Sequence, residues 1–217
     1  MEETLNLPTI TVDTLVDENN GDLSVGDVSL REAIAAVEAG GTIDFATSLA
    51  TENAGAGAGV IELSLGSLTT AKSLSIQGLG ADLLTVKGDS ESAVFDIDSD
   101  GNTGIEPTLL AGLTVTGGSS GVVGYGGALT IKDSVITGNA DIGVATRLFL
   151  TLENTDVTNN GGEGVYTYGD LTVVGGSISN NQADGINSDG RVTVTDSTIS
   201  NNGEDGISST LAVSVER

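Results

Sequence analysis

The sequence contains no cysteine, no histidine and no tryptophan, and these absences exclude several kinds of protein. Without cysteine there are no disulfides and no thiol chemistry, and without cysteine and histidine the usual zinc sites cannot form. Without histidine there is neither an imidazole general base nor a Ser-His-Asp triad. Disulfide-stabilised, zinc-dependent and histidine-dependent proteins are therefore excluded.

Aromatic residues are also scarce, at 3% of the 217 residues, whereas glycine occurs 32 times. A globular core of this size usually contains more aromatic side chains. A thin core of valine, isoleucine and leucine with many glycine turns is more typical of stacked repeats. The composition therefore favours an elongated repeat domain.

Basic residues number only 7 against 31 acidic residues, which gives a net charge of −24. Nucleic-acid binding requires a basic patch, and an anionic membrane surface would repel this chain, so neither partner is expected. The sequence has no apolar run of membrane-spanning length and no signal peptide. A mature or recombinant fragment would lack a signal peptide, so its absence does not indicate a cytoplasmic protein. The acidity favours a solvated surface, a salty environment or Ca²⁺ binding.

From Ala128 to Arg217 the sequence repeats every 21 residues, and residues one repeat apart are called a column here. Two apolar columns flank a column of threonine and serine, and this alternation predicts a strand with one buried face. The first apolar column contains Leu129, Leu150, Leu171, Val192 and Val213. The second contains Ile131, Leu152, Val173, Val194 and Val215.

A second strand, an asparagine column and a glycine column follow in each repeat. Stacked asparagine side chains can hydrogen-bond from one repeat to the next, so the asparagine column predicts a structural ladder. The glycine column suits a turn with positive φ. The second strand contains Ile136, Val157, Ile178 and Ile199. The two columns after it are Asn139, Asn160, Asn181, Asn202 and Gly143, Gly164, Gly185, Gly206.

A capped helix precedes the repeats. Ser29 and Glu32 are spaced as the N-cap and N3 residues of a capping box. The apolar residues that follow fall on one helical face, and the pair Gly40-Gly41 is predicted to end the helix near Ala39. Such a helix would cover the open end of a stack of strands, which otherwise invites further pairing.

The segment from Asp22 to Ile34, which ends in SLREAI, resembles the N-terminal signature of bacterial and archaeal surface proteins with right-handed parallel β-helix repeats. The downstream phrases SLSIQGLGADLLTV, GLTVTGG and DSTISNN are similar in style, so the resemblance covers nearly the whole chain. The family pattern often has a cysteine pair here, where this chain has Leu23 and Val28. The resemblance implies the fold and an extracellular protein, but fold alone does not fix function.

The predicted fold class is therefore all-β, a right-handed parallel β-helix with 21-residue rungs and an N-terminal capping helix. Residues 1–41 form the cap, and residues 42–217 form the β-helix, with regular rungs from about residue 113. Upstream of the regular repeats, Val115 stands one repeat before Ile136, and Ile76 one repeat before Ile97. Like residues in adjacent rungs are expected about 4.7–4.9 Å apart.

Two acidic groups are candidate Ca²⁺ sites. Stacked carboxylates at rung spacing would either hold a cation or turn outward into water. Alternating acids before a glycine imitate the start of a calcium loop, although the glutamate expected at the loop's end is replaced by Pro107. The first group is Glu163, Asp184 and Asp205, and the second is Asp96, Asp98 and Asp100.

Three basic residues have an acid one repeat away, which predicts cross-strand ion pairs worth about 0.2–1 kcal/mol each. For Arg147 the nearest acid of its column, Asp189, lies two repeats away. The predicted pairs are Lys132–Glu153, Asp170–Arg191 and Asp196–Arg217.

These features predict a secreted or cell-surface structural or adhesive module, stabilised by Ca²⁺ and belonging to a larger protein or assembly, with a glycan or cell-surface ligand. The alternative is a β-helix that binds or cleaves polysaccharide as a lyase or hydrolase. The tyrosines are Tyr125, Tyr166 and Tyr168, and the last two would flank a shallow sugar-contacting strip. The triplet Asn154-Thr155-Asp156 resembles part of a pectin hydrolase, but the histidine of such enzymes is absent.

Self-association is the last expectation from the sequence. The segment Ala212–Arg217 repeats the first strand of a rung, and Val213 and Val215 fall in the two inward columns. An uncovered rung is a template for another strand, so end-to-end filaments or dimers are expected, promoted by salt or Ca²⁺ that screens the negative charge.

Overall fold

The computed structural model of the protein describes residues 9–51, 58–97 and 107–217. Within these ranges the chain forms short strands, one α-helix, α1 (Leu30–Ala36), and one 3-10 helix (Thr47–Ala50). The strands are β1 (Thr9–Val12), β2 (Thr42–Phe45), β3 (Gly59–Glu62), β4 (Leu68–Thr70), β5 (Ser75–Gln77), β6 (Leu84–Lys87), β7 (Phe95–Ile97), β8 (Thr108–Ala111), β9 (Thr114–Thr116), β10 (Val122–Gly124), β11 (Leu129–Lys132), β12 (Val135–Thr137), β13 (Val144–Thr146), β14 (Leu150–Thr158), β15 (Val165–Thr167), β16 (Leu171–Ser179), β17 (Ile186–Ser188), β18 (Val192–Thr195), β19 (Thr198–Ser200), β20 (Ile207–Ser209) and β21 (Val213–Glu216).

The strands stack as three faces of a parallel β-solenoid with about 7 turns, and each turn of the chain is one rung. The first face runs in the order β1-β2-β5-β8-β11-β14-β16-β18-β21. The second face runs β3-β6-β9-β12-β14-β16-β19, because the two long strands β14 and β16 each contribute to two faces. The third face runs β4-β7-β10-β13-β15-β17-β20.

The 21-residue register predicted from the columns is confirmed. Leu150 pairs with Leu171 on the first face, and Val157 pairs with Ile178 on the second face. The predicted pairing of Val115 with Ile136 is also present.

The repeat predicted from Ile76 to Ile97 is wrong. Ile76 lies on the first face and pairs with Ile43 and Leu110, whereas Ile97 lies on the third face and pairs with Gly124. Early rungs are longer than 21 residues, because loops are inserted between their strands, so a fixed shift does not align them.

The core is a continuous stack of aliphatic side chains from all three faces. Ile131, Val173 and Ile178 each have 0% of their surface exposed. Burial of such a side chain contributes about 1.5–3 kcal/mol. Only two aromatic residues, Phe45 and Phe95, lie in this core. Small rungs therefore obtain their stability by stacking, since one rung cannot bury its own apolar face.

The asparagine ladder lies in the corner between the second and third faces and is confirmed. The Nδ2 atoms of Asn139 and Asn160 each donate to the Oδ1 atom of the asparagine in the next rung at 3.0 Å. Asn181 donates to Asn202 in the same way at 3.1 Å. The backbone N–H groups of these asparagines donate to the same oxygens, so each buried amide is paired with its neighbours.

The glycine column has a different role from the predicted one. Gly164 does not have positive φ; instead, a Cβ there would lie 2.6 Å from Nδ2 of Asn181 and 2.6 Å from the Gly185 oxygen. Glycine is therefore required because the asparagine ladder occupies the space that a side chain would need.

Positive φ falls at two other columns, which turn the chain at the corners bounding the second face. Asparagine and aspartate tolerate this backbone conformation better than other residues with side chains, which explains why they alternate with glycine there. The first column is Gly112, Asp133, Asn154, Gly175 and Asp196. The second is Gly117, Gly138, Asn159, Asn180 and Asn201.

The N-terminal helix is present with its predicted capping box. The Ser29 side chain accepts from the Glu32 backbone N–H, and the Glu32 side chain accepts from the Ser29 backbone N–H. The helix contacts β1 and β4, so it covers the first strand of the third face. It ends at Ala36, earlier than predicted, because Val37 already has extended backbone angles. The first strand of the solenoid, β1, precedes the helix and pairs with β2.

A salt bridge ties the segment before the helix to the first rung. Arg31 Nε donates to Asp17 Oδ1 at 2.8 Å, and the other Asp17 oxygen accepts from the backbone N–H groups of Ser64 and Leu65. Burial opposes ionisation, but these hydrogen bonds and the Arg31 charge hold the pKa of Asp17 below its usual value. The ionised carboxylate therefore fastens the cap to the solenoid.

Of the three predicted charge pairs, only one is an ion pair. Lys132 Nζ lies 3.1 Å from Glu153 Oε2. The Asp170 carboxylate instead accepts from the backbone N–H of Arg191 at 2.9 Å. Asp196 and Arg217 form no ion pair, since Asp196 lies at a corner with φ of 49°. Backbone pairing thus brings the columns together without fixing where long side chains point.

Burial of Ile178 predicts that Ile178→Asp unfolds the C-terminal rungs. A charge would enter an apolar interior without a partner, which should cost more than about 3 kcal/mol. Thermal melting followed by circular dichroism measures the loss, and Thr193→Asp, on an exposed outward side chain of β18, is the control. Equal melting of Ile178→Asp and the parent protein would contradict the inward assignment.

The ladder predicts a second stability effect. Asn181→Ala should lower the free energy of unfolding by about 2–4 kcal/mol, since buried partners in the rungs on both sides lose hydrogen bonds at about 1–3 kcal/mol each. Urea unfolding measures the change. Gln182→Ala, which removes an exposed side chain from the next position, should be neutral. If both variants behave alike, the ladder does not stabilise the fold.

Candidate functional site

The aromatic residues outside the core all lie at one place on the surface. The chain has 3 tyrosines, 3 phenylalanines and no tryptophan, and Phe45 and Phe95 are buried. The remaining four lie where the third face turns into the first face, on rungs that are close along the solenoid axis. They are Tyr125, Phe149, Tyr166 and Tyr168. We call Tyr125, Arg147, Tyr166 and Tyr168 the tyrosine strip.

Strand alternation places the strip on the outside of the solenoid. On β15, Val165 and Thr167 face inward with 0% exposure, so Tyr166 between them faces outward. The equivalent outward residues on β10 and β13 are Val123 and Ala145, because Ala145 pairs with both Val123 and Tyr166. Two small side chains therefore lie beside one tyrosine, which leaves a hollow next to its ring.

The turn after each strand supplies the rest of the strip. The backbone N–H of Arg147 donates to the Gly124 oxygen at 2.9 Å, and that of Tyr168 donates to the Thr146 oxygen at 3.1 Å. Inside this corner, Thr146 and Thr167 join their hydroxyls at 3.0 Å. The turns therefore stack in order on a hydrogen-bonded base.

The side chains of the strip contact one another and enclose a shallow cavity. The rings of Tyr166 and Tyr168 are 5.2 Å apart and edge-to-face at 89°. The Arg147 guanidinium lies 5.0 Å from the Tyr125 ring centre. The cavity has a volume of about 210 Å³, and Val123 and Ala145 are among its lining residues. A small apolar floor with aromatic walls suits a flat ring with one apolar surface.

The tyrosine hydroxyls are neutral. The hydrogen bond with Tyr168, loss of hydration and the charges of Asp189 and Glu163 raise the pKa of Tyr166 to about 12. This hydroxyl therefore keeps its proton at ordinary pH and serves as a hydrogen-bond donor and acceptor.

Comparison with known protein families settles the architecture. Residues 60–215 match the family described as right handed beta helix region. The chain belongs to this family. Comparison with curated proteins and with solved structures gives no match. The fold predicted from the repeats is therefore confirmed, and the family includes members without a common function, so the surface of this β-helix must indicate what it does.

The predicted Ca²⁺ column lies on the turn that leads into the third face of the β-helix. Asp184 is 9% exposed, and its Oδ1 accepts from the Asp205 backbone N–H at 2.8 Å. Among residues 9–51, 58–97 and 107–217, no three acidic side chains are grouped so that they could hold one metal ion. Glu163, Asp184 and Asp205 lie on successive rungs, and one oxygen of Asp184 is already used by the backbone.

The other candidate calcium residues are only partly within the described structure. Asp96 faces outward on β7, and burial raises its pKa. Its Oδ1 has no hydrogen-bond partner in the described part of the chain. Asp98 and Asp100 lie outside the described residues. Calcium binding at either group stays a prediction.

The triplet Asn154-Thr155-Asp156 is part of the corner between the first and second faces. Asn154 has φ of 46°, and Thr155 is fully buried with its hydroxyl donating to the Glu153 oxygen at 2.9 Å. Asp156 accepts from the Ser177 hydroxyl at 2.8 Å. These contacts give the triplet a structural role in this β-helix.

Sequence columns missed Tyr125 as a member of the strip. Val122 pairs with Val144, so one extra residue separates these rungs compared with the later ones. A fixed shift of 21 therefore aligns Arg147 with Tyr168 but not with Tyr125. Allowing a one-residue insertion would have revealed the strip.

Two further expectations concern partners. No helix in the described ranges has the length and apolar character needed to span a bilayer. β21 pairs with β18, and Val213 and Val215 are 45% and 62% exposed. End-to-end association stays a prediction.

If an acidic column of this β-helix binds Ca²⁺, millimolar CaCl2 should raise the melting temperature, because a ligand of the folded state stabilises it. Screening of the charge of −24 would also raise it, so NaCl at equal ionic strength is the control. Asp184→Asn should remove the Ca²⁺-specific part. Absence of binding heat in calorimetry at millimolar Ca²⁺ would rule the site out.

Proposed function

We propose that this β-helix is an extracellular or cell-surface structural and adhesive module, and that it binds glycan through the tyrosine strip. The single observation that carries the proposal is the convergence of all non-core aromatic side chains in one surface area. In a chain with 3% aromatics, chance placement would scatter them. Grouped exposed aromatics mark binding surfaces.

The shape of the strip favours a sugar as the ligand. Sugar rings have an apolar C–H surface and a polar rim of hydroxyls. The tyrosine rings offer apolar surface to the first, and their neutral hydroxyls, with Asn187 beside Tyr166, offer hydrogen bonds to the second. Tyr125 and Tyr168 lie two rungs apart, roughly 10 Å along the axis, so the strip would contact more than one ring of a chain.

A polysaccharide lyase or hydrolase is the alternative function, and the electrostatics of the strip favour binding over that alternative. A tyrosine acting as general base needs a pKa close to the working pH. The pKa of Tyr166 is raised to about 12 instead, which makes the phenolate rare. The strip thus supplies contact area and hydrogen bonds more readily than proton transfer.

The extracellular location is part of the proposal and rests on the resemblance to surface β-helix proteins. A solenoid with one decorated face suits a spacer that holds a ligand site away from a surface. A stabilising Ca²⁺ ion and membership of a larger assembly are compatible with this role.

A glycan array with and without Ca²⁺ tests the proposal. Tyr166→Ala should weaken binding to every recognised glycan by about 1–2 kcal/mol, or roughly five- to thirtyfold, because it removes the central ring of the strip. Val174→Ala, an exposed apolar residue on the first face, is the matched control and should have no effect. Binding that survives Tyr166→Ala unchanged would refute the proposal. Release of unsaturated products or new reducing ends would favour the enzymatic alternative.

A further inference from the structure

We infer that the tyrosine strip selects a glycan that carries an isolated anionic group, and that the Arg147 guanidinium binds this group. The inference rests on the proposed glycan binding and names the chemical class of the ligand. The anionic group is a carboxylate or a sulfate ester, which share the planar or near-planar arrangement of acceptor oxygens that arginine recognises.

Arg147 is exceptional among the basic residues of this acidic chain. Arg31, Lys87 and Lys132 each form an ion pair with a carboxylate. Lys72 donates to backbone oxygens at the end of the helix. Within the described part of the chain, the Arg147 side chain forms no ion pair and contacts the Tyr125 ring instead. With 31 acids against 7 bases, a base that faces no acid is unexpected unless its position serves another partner.

The tyrosine contact also orients the guanidinium. Stacking on Tyr125 uses the face of the group and leaves the N–H edges free to donate. The adjacent residues of the same turn, Tyr125 and Tyr168, are uncharged, and Asp189 follows only on the next rung. Arg147 therefore presents a fixed pair of donors at the rim of the cavity.

The surroundings of the strip disfavour a polyanion. Asp170, Asp189 and Glu163 flank the side of the strip toward the C-terminus, and the charges of the last two raise the pKa of Tyr166. The whole chain adds a charge of −24. A ligand with a charge on every sugar would meet this repulsion along its length, whereas a neutral chain with one acidic sugar would meet it at one point.

Isothermal titration calorimetry with defined hexasaccharides tests this inference. The probes are neutral galactohexaose and cellohexaose, each series with one uronate or one sulfate ester, and the fully charged hexauronate. We expect the singly charged probe to bind at least fivefold more tightly than its neutral parent and more tightly than the hexauronate. The uronate and sulfate arms identify which anionic group is preferred.

Arg147→Gln should lower the affinity for the singly charged probe to that of the neutral parent. Arg191→Gln is the matched control, because it removes the same charge from an exposed arginine outside the strip and should leave the preference intact. Arg147→Lys should retain only part of the preference, since it keeps the charge and loses the paired donors. Melting curves of all variants show that each is folded.

The outcomes separate this inference from the proposed function. Equal binding of neutral and singly charged probes, or an unchanged preference in Arg147→Gln, would overturn the inference while Tyr166→Ala still abolished binding. Tightest binding of the hexauronate would also overturn it. Failure of every probe and of the glycan array to bind would instead refute glycan binding itself.

Discussion

Parallel pairing between rungs, in register, is the constraint on which the rest of this structure depends. Each strand finds its partner 21 residues away in the regular part, as in the pairing of Leu150 with Leu171. This pairing satisfies the backbone and simultaneously places like side chains on top of one another. The core, the polar ladders and the surface columns all follow, because a residue type repeated in sequence becomes a stack in space.

The corners show how that constraint acts on individual residues. Asparagine side chains such as Asn160 fill the corner between the second and third faces and bond to both adjacent rungs. The glycines next to them, including Gly164, are needed because no Cβ fits beside the amides. Positive φ is handled separately, at positions such as Gly138 and Asn159. Three demands of one corner are thus met by three neighbouring columns.

The proposed ligand surface uses the same regularity with a deliberate interruption. Val123 and Ala145 are small where Tyr166 is large, which opens a hollow on an otherwise even face. Arg147 and Tyr168 occupy equivalent places on adjacent rungs and differ fully in chemistry. A rigid stack holds such varied side chains at fixed spacing, which suits recognition of an extended ligand with repeating units.

The sequence by itself determined the fold, the inward columns, the asparagine ladder and the Ser29 capping box, because each is a local or strictly periodic pattern. It did not determine the early rungs, where inserted loops broke the period and made Ile76 and Ile97 appear equivalent. Only the tertiary structure decided where long side chains point: Lys132 meets Glu153, whereas Asp170 bonds to backbone. It also decided that Tyr125 joins Arg147, since a one-residue insertion shifts its column. Periodicity fixes backbone neighbours, but contacts between flexible side chains depend on the local shape of each rung.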